Sequence, residues 1–380
     1  MASQPGHVHV SEGLEGVVAG TSSICLVDGT QGRLLYRGHD AIELSERSTF
    51  EEVAFLLWHG DLPSRAALAG LKADLLGAGT LPPPVLDILK GLPKSAQPMA
   101  VLRTATSALA HFDPDAADNS PAANVRKAVR LTAQVPAIVA GFHRLRSGAA
   151  PLAPQATLSH AANFLCMLHG TPPDPEVARA LDVALILHAD HEFNASTFSA
   201  RVTAATLSDL HSAITSAIGT LKGPLHGGAN EEVMRLLERM GSVDRVEPMI
   251  LELLAAKKKI PGFGHRVYRT EDPRARILRP MSQRLGERVG DARWYQLTRR
   301  VEEVVTAQRP IHANVDLYSS SVYRSLGIPI DLYTATFAVS RISGWTAHAL
   351  EQYADNRLIR PMSDYVGPRG RAYVPIEARG

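Results

Sequence analysis

The segment from Pro261 to Arg276, PGFGHRVYRTEDPRAR, places one histidine among glycines and arginines. Gly262 and Gly264 precede His265, so the backbone can turn there and a ligand can approach it closely. Histidine changes its charge near neutral pH, and guanidinium groups bind carboxylates and phosphates. The segment therefore suits an anionic substrate and a phosphorylated cofactor. A polar surface loop with an incidental histidine would have the same composition.

A second pair of histidines occurs in HADHEFNAS at 188–196. His188 and His191 are three residues apart at the end of a predicted helix, so they can share a face. With Asp190 they could bind zinc, but a third protein ligand at a familiar local spacing is missing.

His226 and Asp316 are candidates for proton chemistry. His226, in GPLHGGANEEV, directly precedes a predicted helix, whose unpaired amides and dipole disfavour imidazolium. A neutral imidazole there can donate a hydrogen bond to a developing oxyanion. Asp316, in NVDLYSSSVY, is flanked by apolar residues, which makes it a candidate base with a raised pKa.

Three arginines are candidate carboxylate ligands, because a guanidinium can hold a carboxylate in a bidentate fork. Arg274 follows His265, and Arg341 and Arg360 lie towards the C-terminus. Other cationic residues are predicted to have no special role. The arginines at 276, 279, 293, 299 and 300 are expected on a solvated face, and the histidines at 39, 59, 169, 211 and 312 at helix ends or in the core.

The composition of the chain excludes several classes of protein. Its 380 residues are enough for one large domain or two, and the apolar fraction of 45% supports a globular core. A net charge of only +2 argues against a dedicated nucleic-acid binder. No apolar run reaches the ~20 residues that span a bilayer, and the polar N-terminus predicts no secretion signal. Cys25 and Cys166 are expected to be reduced core residues of a cytoplasmic protein.

The elements that must position these residues are almost all helical. Residues 22–37 predict a hairpin whose turn contains Asp28-Gly29. Ser48 and Glu51 have capping-box spacing before a helix that ends at Gly60. Helical patterns follow at 64–78, 84–91, 97–111, 122–146, 157–169, 175–190, 196–221 (one helix or a pair), 230–240, 274–289, 291–309 and 331–356. No other strand is indicated, so the sequence predicts an all-α fold.

Taken jointly and in order, the motifs resemble those of the citrate synthase family. The resemblance covers nearly the whole chain and rests on HADHE, GPLHGGANE, PGFGHRVYRTEDPR, NVD, the SR of FAVSRISGW, and EQYADNRLIRP. The length and the segments YRGHD and EEVAFLLWHG are similar to the short bacterial and archaeal form, a group that includes 2-methylcitrate synthases.

The resemblance implies a multi-helical fold with a large and a small domain. Residues 1–223 and 321–380 would form the large domain, and residues 224–320 the small domain with the catalytic histidines. It also implies a homodimer, or a multiple of it, in which Arg360 enters the neighbouring subunit's site.

The resemblance further implies a role for each candidate. Asp316 would remove a methyl proton from acetyl-CoA, His226 would stabilise the enol, and His265 would polarise the oxaloacetate carbonyl and protonate the alkoxide. The implied oxaloacetate ligands are His191, Arg274, Arg341 and Arg360, with Asn194 a weaker match and His188 either a ligand or a structural neighbour. The implied coenzyme A loop is Lys259, Ile260, Pro261, Gly262 and Phe263.

The sequence thus predicts a cytoplasmic acyltransferase that condenses acetyl-CoA with oxaloacetate and hydrolyses the citryl thioester. No metal, tightly bound cofactor, nucleic acid or membrane is expected. A 2-methylcitrate synthase using propionyl-CoA is the alternative, because one methylene gives only ~1–3 kcal/mol of discrimination. The remote alternative is a non-catalytic helical scaffold or a metal-binding protein.

Overall fold

The computed structural model describes residues 11–380, which form sixteen α-helices and three short strands. The helices are α1 (Ala41–Arg47), α2 (Phe50–His59), α3 (Arg65–Ala78), α4 (Pro83–Gly91), α5 (Pro98–Leu109), α6 (Pro121–Arg146), α7 (His160–His169), α8 (Pro175–His188), α9 (Ala195–Ala204), α10 (Leu210–Leu221), α11 (Ala229–Met240), α12 (Val246–Ala255), α13 (Pro273–Arg288), α14 (Arg293–Gln308), α15 (Val315–Ser325) and α16 (Tyr333–Ala354). The predicted all-α fold with a short N-terminal hairpin is confirmed. The expectation about a secretion signal concerns residues that lie mostly outside the described range.

The hairpin consists of β1 (Cys25–Asp28) and β2 (Arg33–Tyr36), which pair antiparallel. A two-residue strand, β3 (His39–Asp40), extends the sheet on the other side of β2 and was not predicted. Asp28 Oδ1 accepts the backbone N–H groups of Thr30 and Gln31 at 3.0 and 2.8 Å. This side-chain turn fixes the hairpin's bend and register.

Side-chain caps decide where most helices begin. Ser64, Ser120 and Ser159 each accept a backbone N–H of the first turn of α3, α6 and α7. Asp272 and Asn314 do the same for α13 and α15, both of which carry candidate site residues. Such caps satisfy amides that have no partner within the helix.

The predicted capping box at Ser48 and Glu51 is wrong by one residue. The box is formed by Thr49 and Glu52, and the Ser48 hydroxyl instead donates to Leu44 O at 2.7 Å at the end of α1. Glu51 is buried and accepts the backbone N–H of His160 at 3.1 Å. The Ser48 side chain is thus used by a local contact at the end of α1, and the Glu51 side chain by a tertiary contact with α7.

Three helices were not predicted from the sequence, namely α1, α12 and α15. The serine-rich sequence of α15 has modest helix propensity, but the helix is buried on most of its surface. Its hydroxyls donate back to helix carbonyls, as Ser320 does to Leu317 O at 2.7 Å. Burial and these internal hydrogen bonds override propensity in this segment.

Helix α16 lies at the centre of the larger packing group and is buried along most of its length. It packs against α2, α6, α8, α9 and α10, whereas α11 to α15 pack mainly on one another. A helix buried on all sides can be apolar without crossing a bilayer. None of the helices within residues 11–380 is both long enough and apolar enough to span a membrane.

Candidate active site

The loop that carries His265 is held against the start of α15. The Gly264 N–H donates to His312 O and the Asn314 N–H donates to Gly262 O, both at 2.9 Å. The Asn314 side-chain amide adds a hydrogen bond to Gly264 O at 2.9 Å. This short antiparallel pairing fixes the backbone of residues 262–264, which directly precede His265.

The hydrogen bonds around His265 define its tautomer. Nδ1 accepts the backbone N–H groups of Val267 and Tyr268 at 3.0 and 3.1 Å. Because these amides can only donate, the ring proton lies on Nε2 when the imidazole is neutral. Burial, followed by the charge of Arg274, lowers the pKa of His265 to about 4. His265 is therefore a neutral hydrogen-bond donor at pH 7.

His191 lies beside His265, although the two are far apart in sequence. Their ring centroids are 5.0 Å apart, and Tyr268 lies 4.6 Å from His265 and 5.6 Å from His191. Burial and then Arg274 lower the pKa of His191 well below its usual value. Its Nε2 and the Tyr268 hydroxyl have no hydrogen-bond partner among the described residues. The three side chains thus present polar atoms with unused hydrogen-bonding capacity.

The loop after α8 that carries His191 is supported from α16. Asp190 and His348, both fully buried, pair at 3.1 Å between Oδ2 and Nε2. Gly344 allows this contact, because a Cβ there would lie 2.4 Å from both Ala189 O and Asp190 Oδ1. Neither Asp190 nor His348 was predicted to have this role.

His226 is buried and contacts the start of α9. Its Nε2 lies 3.3 Å from the backbone N of Ser196 and 2.8 Å from the hydroxyl. Since the amide can only donate, Nε2 accepts and the ring proton lies on Nδ1. Burial, and then the charge of Arg341, lower the pKa of His226 to about 4. The prediction of a neutral imidazole is therefore supported, with burial rather than the start of α11 as the main cause.

Asp316 lies in the first turn of α15 and is half-buried. Burial raises the pKa of its carboxyl to about 6, and the charges of Arg274 and Arg341 partly oppose that rise. Asn314 caps the helix by accepting the Asp316 N–H at 3.0 Å. The predicted candidate base therefore has a pKa close to the pH at which it would act.

Arg274 is fixed by Asp272, which the sequence analysis did not single out. Asp272 accepts Arg274 Nε at 3.0 Å and Nη2 at 2.8 Å, and both residues are buried. Burial would lower the pKa of Arg274, but the Asp272 carboxylate more than offsets this effect and raises it. Asp272 also accepts the Val315 N–H at 3.0 Å, which joins the starts of α13 and α15.

Arg341 is the second buried guanidinium of the site. Its Nε donates to His188 O at 2.7 Å, and its Cζ lies 4.6 Å from the Phe337 ring centroid. No salt bridge within residues 11–380 includes Arg341, although only 2% of the residue is exposed. Burial lowers the pKa of Arg341. A buried cation without a carboxylate partner in the described chain is a strong candidate for an anionic ligand.

His188 and Asn194 flank the His191 segment in the sequence. The buried His188 places its Nδ1 2.7 Å from Ala184 O, and burial lowers its pKa to about 3. Asn194 caps α9 by accepting the Thr197 N–H at 3.1 Å, and its amide lies 3.3 Å from His191 O. Asn194 therefore supports the His191 loop, whereas the buried His188 Nε2 has no hydrogen-bond partner among the described residues.

The remaining predicted residues lie away from this cluster or at its edge. Arg360 is exposed in the segment after α16 and does not join the site of its own chain. In the predicted coenzyme A loop, Lys259 is exposed, Ile260 is buried and Phe263 pairs with Ala313 in an isolated bridge. Within residues 11–380 no three His, Cys, Asp or Glu side chains are arranged to hold a metal ion.

Several residues of the site were missed by sequence reasoning. Asn314 and Asp272 could have been found, because each is an N-cap residue just before a candidate side chain. Ser196, Tyr268 and His348 had no such signal, since their roles depend on contacts between distant segments.

Comparison with known proteins places this geometry in a family. The family model described as "Citrate synthase, C-terminal domain" matches residues 13–362. The chain is 51% identical over 371 residues to "Citrate synthase 2" of Bacillus subtilis, with 97% of this chain and 99% of the relative covered. It is 41% identical over 368 residues to a "2-methylcitrate synthase" of Shewanella oneidensis, with 97% of each covered.

A solved structure has the same fold as this chain. The citrate synthase of Thermoplasma acidophilum, solved in a ternary complex with carboxymethyl coenzyme A and oxaloacetate, is 33% identical to this chain. The match covers 98% of this chain and all of that chain, with a TM-score of 0.92. The helical architecture is therefore that of a known fold.

Proposed function

The chain belongs to the citrate synthase family and is an acyltransferase, and we propose that it condenses acetyl-CoA with oxaloacetate and hydrolyses the resulting thioester to citrate and CoA. The supporting observation is the buried guanidinium of Arg341, which has no carboxylate partner among residues 11–380. Its charge adds to burial in lowering the pKa of His226 and partly opposes the burial that raises the pKa of Asp316. A site for an anion at Arg341 thus lies near a candidate base, Asp316, and a neutral hydrogen-bond donor, His226. The reaction requires these three kinds of group.

The first step is removal of a methyl proton from acetyl-CoA by Asp316. A thioester α-proton is weakly acidic, so the base needs a group that stabilises the charge developing on the thioester oxygen. The Nδ1–H of neutral His226 is that group, and such a donor can supply several kcal/mol. Because Ser196 occupies Nε2, the donor tautomer is fixed before substrate binds.

In the second step the enol carbon attacks the oxaloacetate carbonyl. His265 donates its Nε2–H to the carbonyl oxygen and then transfers that proton to the forming alkoxide. The electron pair of the enol becomes the new carbon–carbon bond, and the product is citryl-CoA. Water then attacks the thioester carbonyl and returns a proton to the His265 ring. The carbon–sulfur bond breaks, and the CoA thiolate takes up the proton that Asp316 had removed, so that citrate and CoA are released and both residues regain their starting protonation states.

Oxaloacetate is held through its two carboxylates. Arg274 and Arg341 are the guanidinium ligands from this chain, and His191 adds a hydrogen bond near His265. Arg360 of the neighbouring subunit completes the set in the proposed homodimer, or in a multiple of it. The segment Lys259–Phe263 lies against coenzyme A. A cytoplasmic location remains a prediction of the sequence.

We expect domain closure to enclose the site around bound oxaloacetate. The proposed small domain, residues 224–320, contains His226, His265 and Asp316, whereas His191 and Arg341 belong to the remainder. The boundary at 320 falls inside α15, so a rigid body would extend to Ser325. The two sets already meet in this structure, where the ring centroids of His191 and His265 are 5.0 Å apart. Closure over bound oxaloacetate would exclude water from the enol.

A 2-methylcitrate synthase is the second candidate function. It is favoured by the 41% identity to the Shewanella oneidensis relative of that name. Both reactions use the same base, donor and oxaloacetate ligands, so the catalytic residues do not discriminate between them.

Release of free thiol from acetyl-CoA and from propionyl-CoA, each with oxaloacetate, tests the proposal. Release that requires oxaloacetate and is faster with acetyl-CoA is expected. Faster release from propionyl-CoA would establish the second candidate, and no oxaloacetate-dependent release from either would reject both.

A further inference from the structure

The turn of the N-terminal hairpin contacts the loop that follows His265. A Cβ built on Gly29 would lie 2.1 Å from Val267 O and 2.7 Å from the Val267 carbonyl carbon. The Arg269 N–H donates to Gly29 O at 2.9 Å. Two backbones thus meet at a distance that leaves no room for a side chain at position 29.

The backbone conformation of Gly29 does not itself require glycine. Gly29 is absent from the positive-φ glycines of residues 11–380, whereas Gly32 in the same turn has a φ of +63°. An alanine at position 29 could therefore adopt the turn. An alanine could not approach the Val267 backbone as closely. Glycine is therefore needed at position 29 for the contact with Val267 and not for the backbone conformation of the turn.

The contact leads directly to the catalytic imidazole. Val267, whose carbonyl touches Gly29, also donates its N–H to His265 Nδ1 at 3.0 Å. A side chain at position 29 would displace Val267 by about 1 Å, since ordinary carbon–oxygen contacts are well beyond 3 Å. The donor that fixes the tautomer and direction of His265 would move with it.

We propose that Gly29 is a positioning residue for His265, through the peptide backbone of Val267. The inference rests on the role proposed for His265 in polarising the oxaloacetate carbonyl. A misplacement of about 1 Å at a reacting group can cost ~10²-fold in rate. The hairpin lies far before His188, the next site residue in the sequence. It is then part of the catalytic apparatus.

Gly29→Ala tests the proposal, with Gln31→Ala as the matched control. Gln31 lies in the same turn with an exposed side chain. Gly29→Ala is expected to lower kcat at least ~10-fold in protein that remains folded, and to lower the unfolding temperature because the new Cβ meets backbone atoms of Val267. The ¹³C carbonyl resonance of bound oxaloacetate is expected to shift towards its value in solution, which a purely structural role would not produce. Gln31→Ala should behave as the wild type in all three measurements.

Normal turnover and a normal carbonyl resonance in Gly29→Ala would overturn the proposal. If that variant fails to fold, hydrogen exchange in the wild-type protein tests the Gly29 contact on which the proposal depends. The Arg269 amide should resist deuterium exchange in the presence of oxaloacetate, because it donates to Gly29 O, and rapid exchange would overturn the contact. Thiol release by the wild type tests the proposed function separately, so failure of one inference does not imply failure of the other.

Discussion

Burial of the Asp316 carboxyl in the first turn of α15 sets the pH at which the protein should act. Its pKa is raised to about 6, so a base at this position is protonated and inactive below that pH. The pKa values of His226 and His265 are lowered to about 4, so both remain neutral throughout this range. We therefore expect kcat/KM to fall on the acid side with an apparent pKa near that of Asp316, as measured in initial-rate profiles.

Asp316→Asn should keep the fold and lower turnover at least ~10²-fold, because the amide cannot accept the methyl proton. Steady-state rates and circular dichroism would measure the two properties. Turnover close to that of the wild type in a folded variant would remove Asp316 from the mechanism.

The same substitution should affect stability in a pH-dependent direction. The folded-state pKa of Asp316 lies above the usual value, so the protonated form stabilises the fold, and this contribution is lost as pH rises through about 6. Asp316→Asn should therefore be more stable than the wild type at pH 8, by on the order of 1–3 kcal/mol, and similar to it near pH 4. Urea unfolding at the two pH values measures the difference; a difference independent of pH would contradict the burial argument.

At the scale of elements, Asn314 joins the His265 loop to α15. It caps the helix through Oδ1 and donates from Nδ2 to Gly264 O. Asn314→Ala should lower the free energy of unfolding by roughly 0.5–2 kcal/mol and should also lower kcat, because both links are lost.

Asn314→Ser separates the two functions of this residue. Serine preserves a capping oxygen but cannot reach Gly264 O, so stability should recover while kcat stays low. Chemical unfolding and initial rates would be measured on both variants. Full recovery of activity in the serine variant would show that only the cap matters.

At the scale of the whole molecule, the proposed closure should be driven by oxaloacetate. Its proposed ligands come from both packing groups, with Arg274 on α13 and Arg341 on α16. Binding should reduce the radius of gyration in solution scattering and slow hydrogen exchange at 262–268. An unchanged envelope with unchanged exchange would count against closure.

The exposed position of Arg360 gives a test of a shared active site. Asp316→Asn and Arg360→Ala, each nearly inactive alone, would be co-expressed with distinct tags. If Arg360 acts across the dimer, one site of each heterodimer is intact, and random pairing restores about a quarter of all sites. If Arg360 acts within its own chain, every site carries a defect and the purified heterodimer stays inactive.

The sequence by itself determined the helical class, most helix ends and the chemical identity of the candidate residues. These properties depend on apolar periodicity, on caps such as Ser64 and Asp272, and on side-chain types whose chemistry does not depend on context. Predictions from local sequence failed where tertiary contacts decided the structure. Glu51 accepts a hydrogen bond from the start of α7 instead of capping α2. The segment of α15 is helical despite its serines because it is buried.

Only the tertiary structure decided which tautomers the histidines adopt, how far the pKa of Asp316 rises, and why position 29 is glycine. The proton of His226 is placed by Ser196, and the hairpin meets the His265 loop through the backbones of Gly29 and Val267. Each of these properties arises from burial or from contact between segments that are distant in the chain. Desolvation and close backbone approach depend on three-dimensional neighbours, which residue types and spacing do not specify.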